Sequence, residues 1–245
     1  MPDRFYVPEP IASERVTLGG EEAHHLIHVL RAKAGLAVTL FDGVGSEFSA
    51  RIERVGRTEV ELAVEGSALV SRELAIELTL AVALPKGDRQ RWLVEKVVEL
   101  GVRRLVPLQT DRSVAEPLEK ALIRLRRTVI EASKQCGRNR LMEIAPPRNS
   151  IEWFAEPGSI GVADPSRRRA MADPRGAIGA REWCETLRST TAMRSALVAV
   201  GPEGGWTDSE LELARAHGWD VLSLGPRILR VETTAVALAA FFGLE

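Results

Sequence analysis

The 245-residue sequence predicts an α/β fold with a mostly parallel sheet, preceded by a small β-barrel. Three observations carry that reading. From Leu74 onward, short apolar strands alternate with segments of helical periodicity, the pattern of a sheet covered by helices on both faces. Before residue 70 the chain instead reads as short strands separated by turns. Glycines stand just beyond the last periodic residue of several helices, at Gly35, Gly101 and Gly218, where a left-handed residue ends a helix without steric cost. The change of pattern near 67–73 divides the chain into domains 1–70 and 74–245.

In the first domain, strands are expected at Val16 to Leu18, Ala37 to Phe41, Glu47 to Ile52 and Thr58 to Val64. One helix interrupts them, from about Glu21 to Lys33, with Leu26, Val29 and Leu30 on one face. The second domain opens with a strand, Ala75 to Leu84, that stops at Pro85-Lys86-Gly87-Asp88. Asp88 is an expected N-cap, and the helix behind it places Leu93, Val94, Val97 and Val98 on one face. A strand at Arg104 to Leu108 follows. A helix from about Pro117 to Gln135 then carries Leu118, Leu122, Leu125, Val129 and Ala132 at helical spacing, with its arginines on the outer faces.

Strands at Ile160 to Ala163 and Ala196 to Val200 bracket residues 166–195, which read as a partly ordered insertion with a short helix near Trp183. Thr207-Asp208-Ser209-Glu210 matches a capping box opening a helix to His217. A strand at Asp220 to Leu224 and a helix from Val231 to Phe242 complete the plan.

Composition is that of a folded protein, 45% apolar and 27% charged. The N-terminus lacks the plan of a signal peptide, and no run of about 18 apolar residues could span a bilayer, so a cytoplasmic protein without a membrane partner is expected. Cys136 and Cys184 form no CxxC pair and read as structural thiols. The net charge of −1 hides a segregation: residues 1–70 carry 7 basic and 11 acidic side chains, whereas 86–140 carry 14 and 7. Phosphate contacts are expected in the middle of the chain, with an ordinary solvated helix face as the alternative.

Two expected strand ends are rich in glycine and proline: Gly201-Pro202-Glu203-Gly204-Gly205, and Gly225-Pro226-Arg227-Ile228-Leu229-Arg230. Ligands of open α/β sheets sit at such carboxyl ends. Glycine lets backbone amides and carbonyls approach an adenine edge, and Ile228 and Leu229 could cover its ring. Tight turns are the alternative reading, and the pattern does not fit GxGxxG.

These residues also carry a resemblance. Pro85-Lys86-Gly87-Asp88, Glu95-Lys96 with Glu99-Leu100-Gly101-Val102, Asp111-Arg112-Ser113, Gln135 with Gly137-Arg138, Gly201 to Gly205, and Leu224-Gly225 with Ile228 to Thr233 occur in the order seen in the RsmE family. So do Arg4-Phe5 and His24-His25 with Val29-Leu30-Arg31. The family comprises 16S ribosomal RNA uridine-N3 methyltransferases of the SPOUT superfamily.

The resemblance implies a PUA-like RNA-binding barrel, a trefoil-knotted methyltransferase domain, S-adenosylmethionine as cofactor, 16S rRNA of the small subunit as partner, and a homodimer. It places the cofactor on Val200, Gly201, Glu203, Gly204, Leu224, Gly225, Ile228, Leu229 and Arg230. Strand alternation alone gives no hint of a knot and favours an unthreaded sheet.

A donor methyl activated by a sulfonium needs alignment with uridine N3 and help in losing the N3 proton, so no metal is expected. Arg230 and Glu203 are the candidate catalytic residues, Arg230 the stronger; Glu203 reads equally as an anion near the helix that Thr207 opens. Arg4, Arg31, Lys86, Arg112, Arg138 and Arg140 are candidate RNA contacts, against a solvated-surface alternative. His24 and His28 stand one helical turn apart, but no carboxylate pattern completes a metal site, and a packing or RNA-facing role is preferred. Rival readings are a ribose 2′-O methyltransferase of the same superfamily, a non-catalytic RNA-binding protein, and a metal-dependent hydrolase.

Overall fold

The computed structural model describes residues 3–113, 119–155 and 166–243. It separates into two compact units, one formed by Met1–Glu73 with Ile130–Leu141, the other by Leu74–Val129 with Met142–Glu245. A division made along the sequence could not assign 130–141 to the first unit, because the segment is continuous with a helix that begins in the second.

The first unit contains β1 (Arg4–Tyr6), β2 (Arg15–Leu18), β3 (Ala37–Phe41), β4 (Ser46–Val55) and β5 (Val60–Leu69). They form one sheet in the order β1-β3-β4-β5-β2. All its pairings are antiparallel except β1 with β3. Strand β1 was not anticipated: three residues are too few to show a period. Alternation in β3 and β4 buries Val38, Leu40, Phe48 and Ile52 with Phe5 and Leu62 in one core.

The helix of this unit departs from expectation. Helix α1 (Gly20–His24) passes into a π-helical turn at His25–Val29, with Leu30 N–H bonded to His25 O at 3.0 Å. The extra residue per turn rotates Val29 off the apolar face, so Leu26 is buried while Val29 is 64% exposed. The helix stops before Lys33, and Arg31 takes a left-handed conformation at φ 50°.

The second unit begins with β6 (Glu77–Val82), α2 (Asp88–Glu99), β7 (Arg104–Gln109) and the start of α3 (Glu119–Cys136). The anticipated face of α2 is buried at Leu93, Val94, Val97 and Val98. Its N-cap is Gly87, at φ 66°, rather than Asp88, which is the first helical residue. Gly101 (φ 83°) follows its end. Leu122, Leu125, Val129 and Ala132 of α3 are buried; the expected Pro117 and Leu118 lie outside the described residues.

Short strands β8 (Glu143–Ile144) and β9 (Arg148–Asn149) lead to α4 (Ser150–Ala155). The expected strand from 160 to 163 lies outside the described residues. Residues 166–195 are not an insertion. They supply β10 (Arg167–Ala172), β11 (Ile178–Gly179) and α5 (Ala180–Ser189), which buries Trp183, Cys184 and Leu187. Strand β10 was hidden because its first residues are three exposed or half-buried arginines and only Ala170, Met171 and Ala172 are buried.

Then come β12 (Ser195–Val200), α6 (Asp208–Ala216), β13 (Asp220–Ser223) and α7 (Val231–Gly243). The sheet order is β11-β13-β10-β12-β6-β7-β8, with β9 also on β7, and every pairing is parallel. Such a sheet sends the carboxyl ends of β10, β12 and β13 to the same edge. One core includes Ala81, Val106, Phe154, Met171, Trp206 and Trp219. Among the described residues no helix is long and apolar enough to cross a membrane.

Candidate active site

The loops after β10, β12 and β13 line a cleft that opens to solvent. Of the expected binding residues, Val200, Gly201, Glu203, Leu224, Gly225, Ile228 and Leu229 line it. The cleft is thus built largely from backbone and apolar side chains.

The loop after β12 is held from several sides. Trp206 is buried, donates its indole N–H to Ala172 O at 2.9 Å, and meets Phe154 edge-on at 5.4 Å. Gly201 lies against that indole: a Cβ at 201 would stand 2.9 Å from Trp206 Cε2. Gly205 turns the chain at φ 68° and donates to Pro202 O. The anticipated capping box is formed, with Thr207 Oγ1 accepting from Glu210 N–H and Glu210 Oε2 accepting from Thr207 N–H at 2.9 Å. Glu210 is fully buried and also accepts from Ser150 Oγ at 2.6 Å.

Gly204 and Arg230 are not among the lining residues. Gly204 faces Arg112, whose Nη1 donates to Gly204 O at 2.9 Å, so it braces the loop from behind. Arg230 follows Leu229 on the rim with an exposed side chain, and its carbonyl accepts from Thr234 N–H.

The loop after β10 was missed altogether. Ala172, Asp173 and Pro174 line the cleft. The sequence contains Ala-Asp-Pro twice, at 163–165 and 172–174; the expectation took the first as the strand end, and the structure puts the second at the cleft. Both carboxylate oxygens of Asp173 accept from Arg175, at 2.9 and 3.0 Å, and Arg175 also reaches Asp208 at 2.7 Å. Burial alone would raise the Asp173 carboxyl, but the Arg175 hydrogen bonds outweigh it and hold the group below its ordinary range. Gly176 behind it has no room for a side chain, since a Cβ would lie 2.6 Å from Leu222 backbone. Trp206, Arg227 and Thr234 are further lining residues that spacing alone did not single out.

Glu203 is half-exposed at the cleft, and its Oε1 lies 3.2 Å from Arg89 Nη2. Arg89 Nη1 in turn stands 3.8 Å from Glu232 Oε1 in the first turn of α7.

The expected RNA contacts fall into two groups. Lys86 and Arg31 are exposed; Arg112 is exposed but spends one nitrogen on the cleft loop. Arg140 is half-buried and donates to Val44 O at 3.2 Å. Arg138 and Arg4 are corrections. Arg138 is 2% exposed and grips Glu73 through two nitrogens, and Arg4 is held by Glu47 and Asn139 and stacks on Phe41. Glu47 collects Arg4, Arg72 and Asn139; burial would raise its carboxyl, but these three donors outweigh that and hold it below the ordinary range. These arginines brace the first unit and have no free guanidinium face for a phosphate. The His24 and His28 rings lie 4.7 Å apart, tilted by 46°, and among the described residues no three metal-binding side chains converge.

Residues 72–243 match the RNA methyltransferase domain family, and residues 18–65 match the RNA methyltransferase PUA domain family. A ribosomal RNA small subunit methyltransferase E from Synechocystis sp. is 34% identical over 95% of this chain and 74% of its own length. One from Bacillus subtilis is 30% identical over 91% and 88%. A ribosomal RNA small subunit methyltransferase E from Neisseria gonorrhoeae, solved with S-adenosyl methionine, superposes with a TM-score of 0.84 at 30% identity over 98% and 95% of the two chains. A putative methyltransferase from Legionella pneumophila, in complex with the bound cofactor SAM, does so with a TM-score of 0.85 at 31% identity over 98% and 97%. Matched over almost its whole length, the chain belongs to the ribosomal RNA small subunit methyltransferase E family, RsmE.

Proposed function

We propose that this protein methylates N3 of a uridine in 16S rRNA and that the cleft between the loops at 172–174, 201–206 and 224–229 holds the methyl donor. The coarser activity follows from family membership: it is an S-adenosylmethionine-dependent methyltransferase of small-subunit ribosomal RNA. The observation that carries the cofactor assignment is the cleft's lining. Ile228, 89% exposed, and Leu229 offer an apolar face suited to an adenine ring, and the glycine-rich backbone offers amides and carbonyls to its edge. Asp173 and Glu203 supply negative charge where a cationic donor must rest.

S-adenosylmethionine supplies a methyl already activated by a sulfonium, whose sulfur takes the carbon–sulfur electron pair as the methyl leaves. The protein must orient the acceptor nitrogen, exclude water and receive the N3 proton. Glu203 is the cleft-lining carboxylate available to accept it. Arg230, exposed on the rim between the lining residues Leu229 and Val231, is suited to the developing negative charge on the uracil ring. Lys86, Arg31 and Arg140 remain candidates for phosphates.

The same reading includes a cytoplasmic homodimer, a PUA-like barrel formed by the five-stranded sheet, and a knot in the second unit. The return of α7 from β13, near one end of the sheet, to α2 and β6 in its middle supports the threading. The test is transfer of labelled methyl to 30S subunits lacking the modification, followed by mass spectrometry of the digested RNA. N3-methyluridine is expected; a 2′-O-methyl nucleoside, or no product, would reject the target assignment.

A further inference from the structure

Glu203 does not stand alone. Arg89, the second residue of α2, lies between it and Glu232: one guanidinium nitrogen is 3.2 Å from Glu203 Oε1 and the other 3.8 Å from Glu232 Oε1. The two carboxylates differ in setting. Glu203 is 38% exposed on the cleft loop, whereas the Glu232 side chain is 8% exposed. Its Oε2 is buried with no hydrogen-bond partner among the described residues.

A buried carboxylate oxygen without a hydrogen-bond partner is costly. Glu232 sits in the first turn of α7, where the helix end is positive, and faces Arg89.

Formal charge shows what such an arrangement can do. With all three groups ionised, Glu203, Arg89 and Glu232 sum to −1. One added proton on Glu203 brings the sum to zero, and Arg89 keeps Glu232 as its counter-ion. A lone Glu203–Arg89 pair would instead go from zero to +1, leaving a half-buried guanidinium without a partner.

Resting on the methyltransferase reading above, we infer that Glu203, Arg89 and Glu232 act together as a single proton acceptor for the methylation step. Glu203 is the catalytic member. As the N3–H bond breaks and the N3–methyl bond forms, its carboxylate takes the proton. Arg89 and Glu232 are positioning residues that hold the Glu203 carboxylate at the cleft and keep the charge balanced once it is protonated. Neither lines the cleft, so neither is needed to hold the donor.

The test is a set of variants in the full-length protein: Glu203→Gln, Arg89→Gln, Arg89→Lys, Glu232→Gln and the doubles with Glu203→Gln. Donor affinity is measured by calorimetry, and kcat and KM by methyl transfer to unmodified 30S subunits. Glu203→Gln is expected to lower kcat by about 100-fold. Arg89→Gln and Glu232→Gln should lower it by about tenfold, Arg89→Lys by less than Arg89→Gln, with KM and donor affinity of these Arg89 and Glu232 variants within about threefold of the wild type. In the Glu203→Gln background the second substitutions should cost nothing further, because they act through the missing carboxylate.

Full additivity, or loss of donor affinity with kcat unchanged, would overturn the inference. Should Glu232→Gln fail to fold, the Arg89 and Glu203 cycle decides alone. Absence of transfer by the wild type would remove the methyltransferase reading and this inference together, whereas active wild type with unaffected Arg89→Gln would remove this inference only.

Discussion

The two glycine-rich loops of the cleft are built to opposite plans. The loop after β12 is anchored at nearly every residue: Pro202 and Trp206 are buried, Gly201 packs on the indole, and Arg112 and Arg175 reach carbonyls at Gly204 and Trp206. Its last residue caps α6. The loop after β13 is exposed from Gly225 to Ile228, and the bonds recorded for it are Gly225 N–H to Ser223 Oγ and Thr234 N–H to Arg230 O. One wall of the cleft is therefore preorganised, and the other presents an unsatisfied apolar surface. A preorganised wall spends no ordering free energy on binding, while an exposed isoleucine gains from being covered. The first wall should govern stability and the second affinity.

The most severe way to break this contrast is Trp206→Ala. It removes the indole that supports Gly201 and the bond to Ala172 O, and should cost about 3–5 kcal/mol in a denaturant melt. Gly201→Ala comes next: the new methyl meets the indole at 2.9 Å, an overpacking cost of about 1–3 kcal/mol, read in the same melt and accompanied by weaker donor binding.

Asp173→Asn should destabilise less, and with a pH signature. The folded protein holds Asp173 below its ordinary value of 3.8, so its contribution is complete above that value and is lost as pH falls through the lower, folded one. The difference in melting temperature between wild type and variant should be constant from pH 7 to about 5 and shrink below about 4. A gap that widens in acid would contradict the assignment. Ile228→Ala should leave stability within about 0.5 kcal/mol, yet weaken donor binding by about fivefold in calorimetry, the worth of roughly 1 kcal/mol of apolar cover. The reverse pattern would erase the distinction between the walls.

How far the sequence revealed these features depended on how local their cause was. The Thr207–Glu210 capping box, the buried stripe of α2 and the glycine ends at Gly101 and Gly218 are short-range effects, and each was read correctly. The π-helical turn at His25–Val29 escaped because its one-residue shift leaves composition unchanged. Strand β10 escaped because its edge of arginines masks three buried residues, and with it went Asp173 and Pro174; Ala-Asp-Pro at 163–165 offered an equally plausible strand end. Arg138 and Arg4 could not be told from surface cations, since Glu73 and Glu47, their partners, are 65 and 43 residues away. The alliance of Arg89 with Glu203 and Glu232 joins three separate elements and has no spacing to betray it.

A crystal structure of this protein with S-adenosylmethionine tests the central claim most directly. The account expects the adenine against Ile228 and Leu229, its edge on the backbone of the two glycine-rich loops, and the methyl directed toward the side of the cleft that carries Glu203. The loop at 201–206 should be unmoved and the one at 224–229 closed over the ring. A donor bound away from these loops, or a rearranged Trp206 wall, would contradict it.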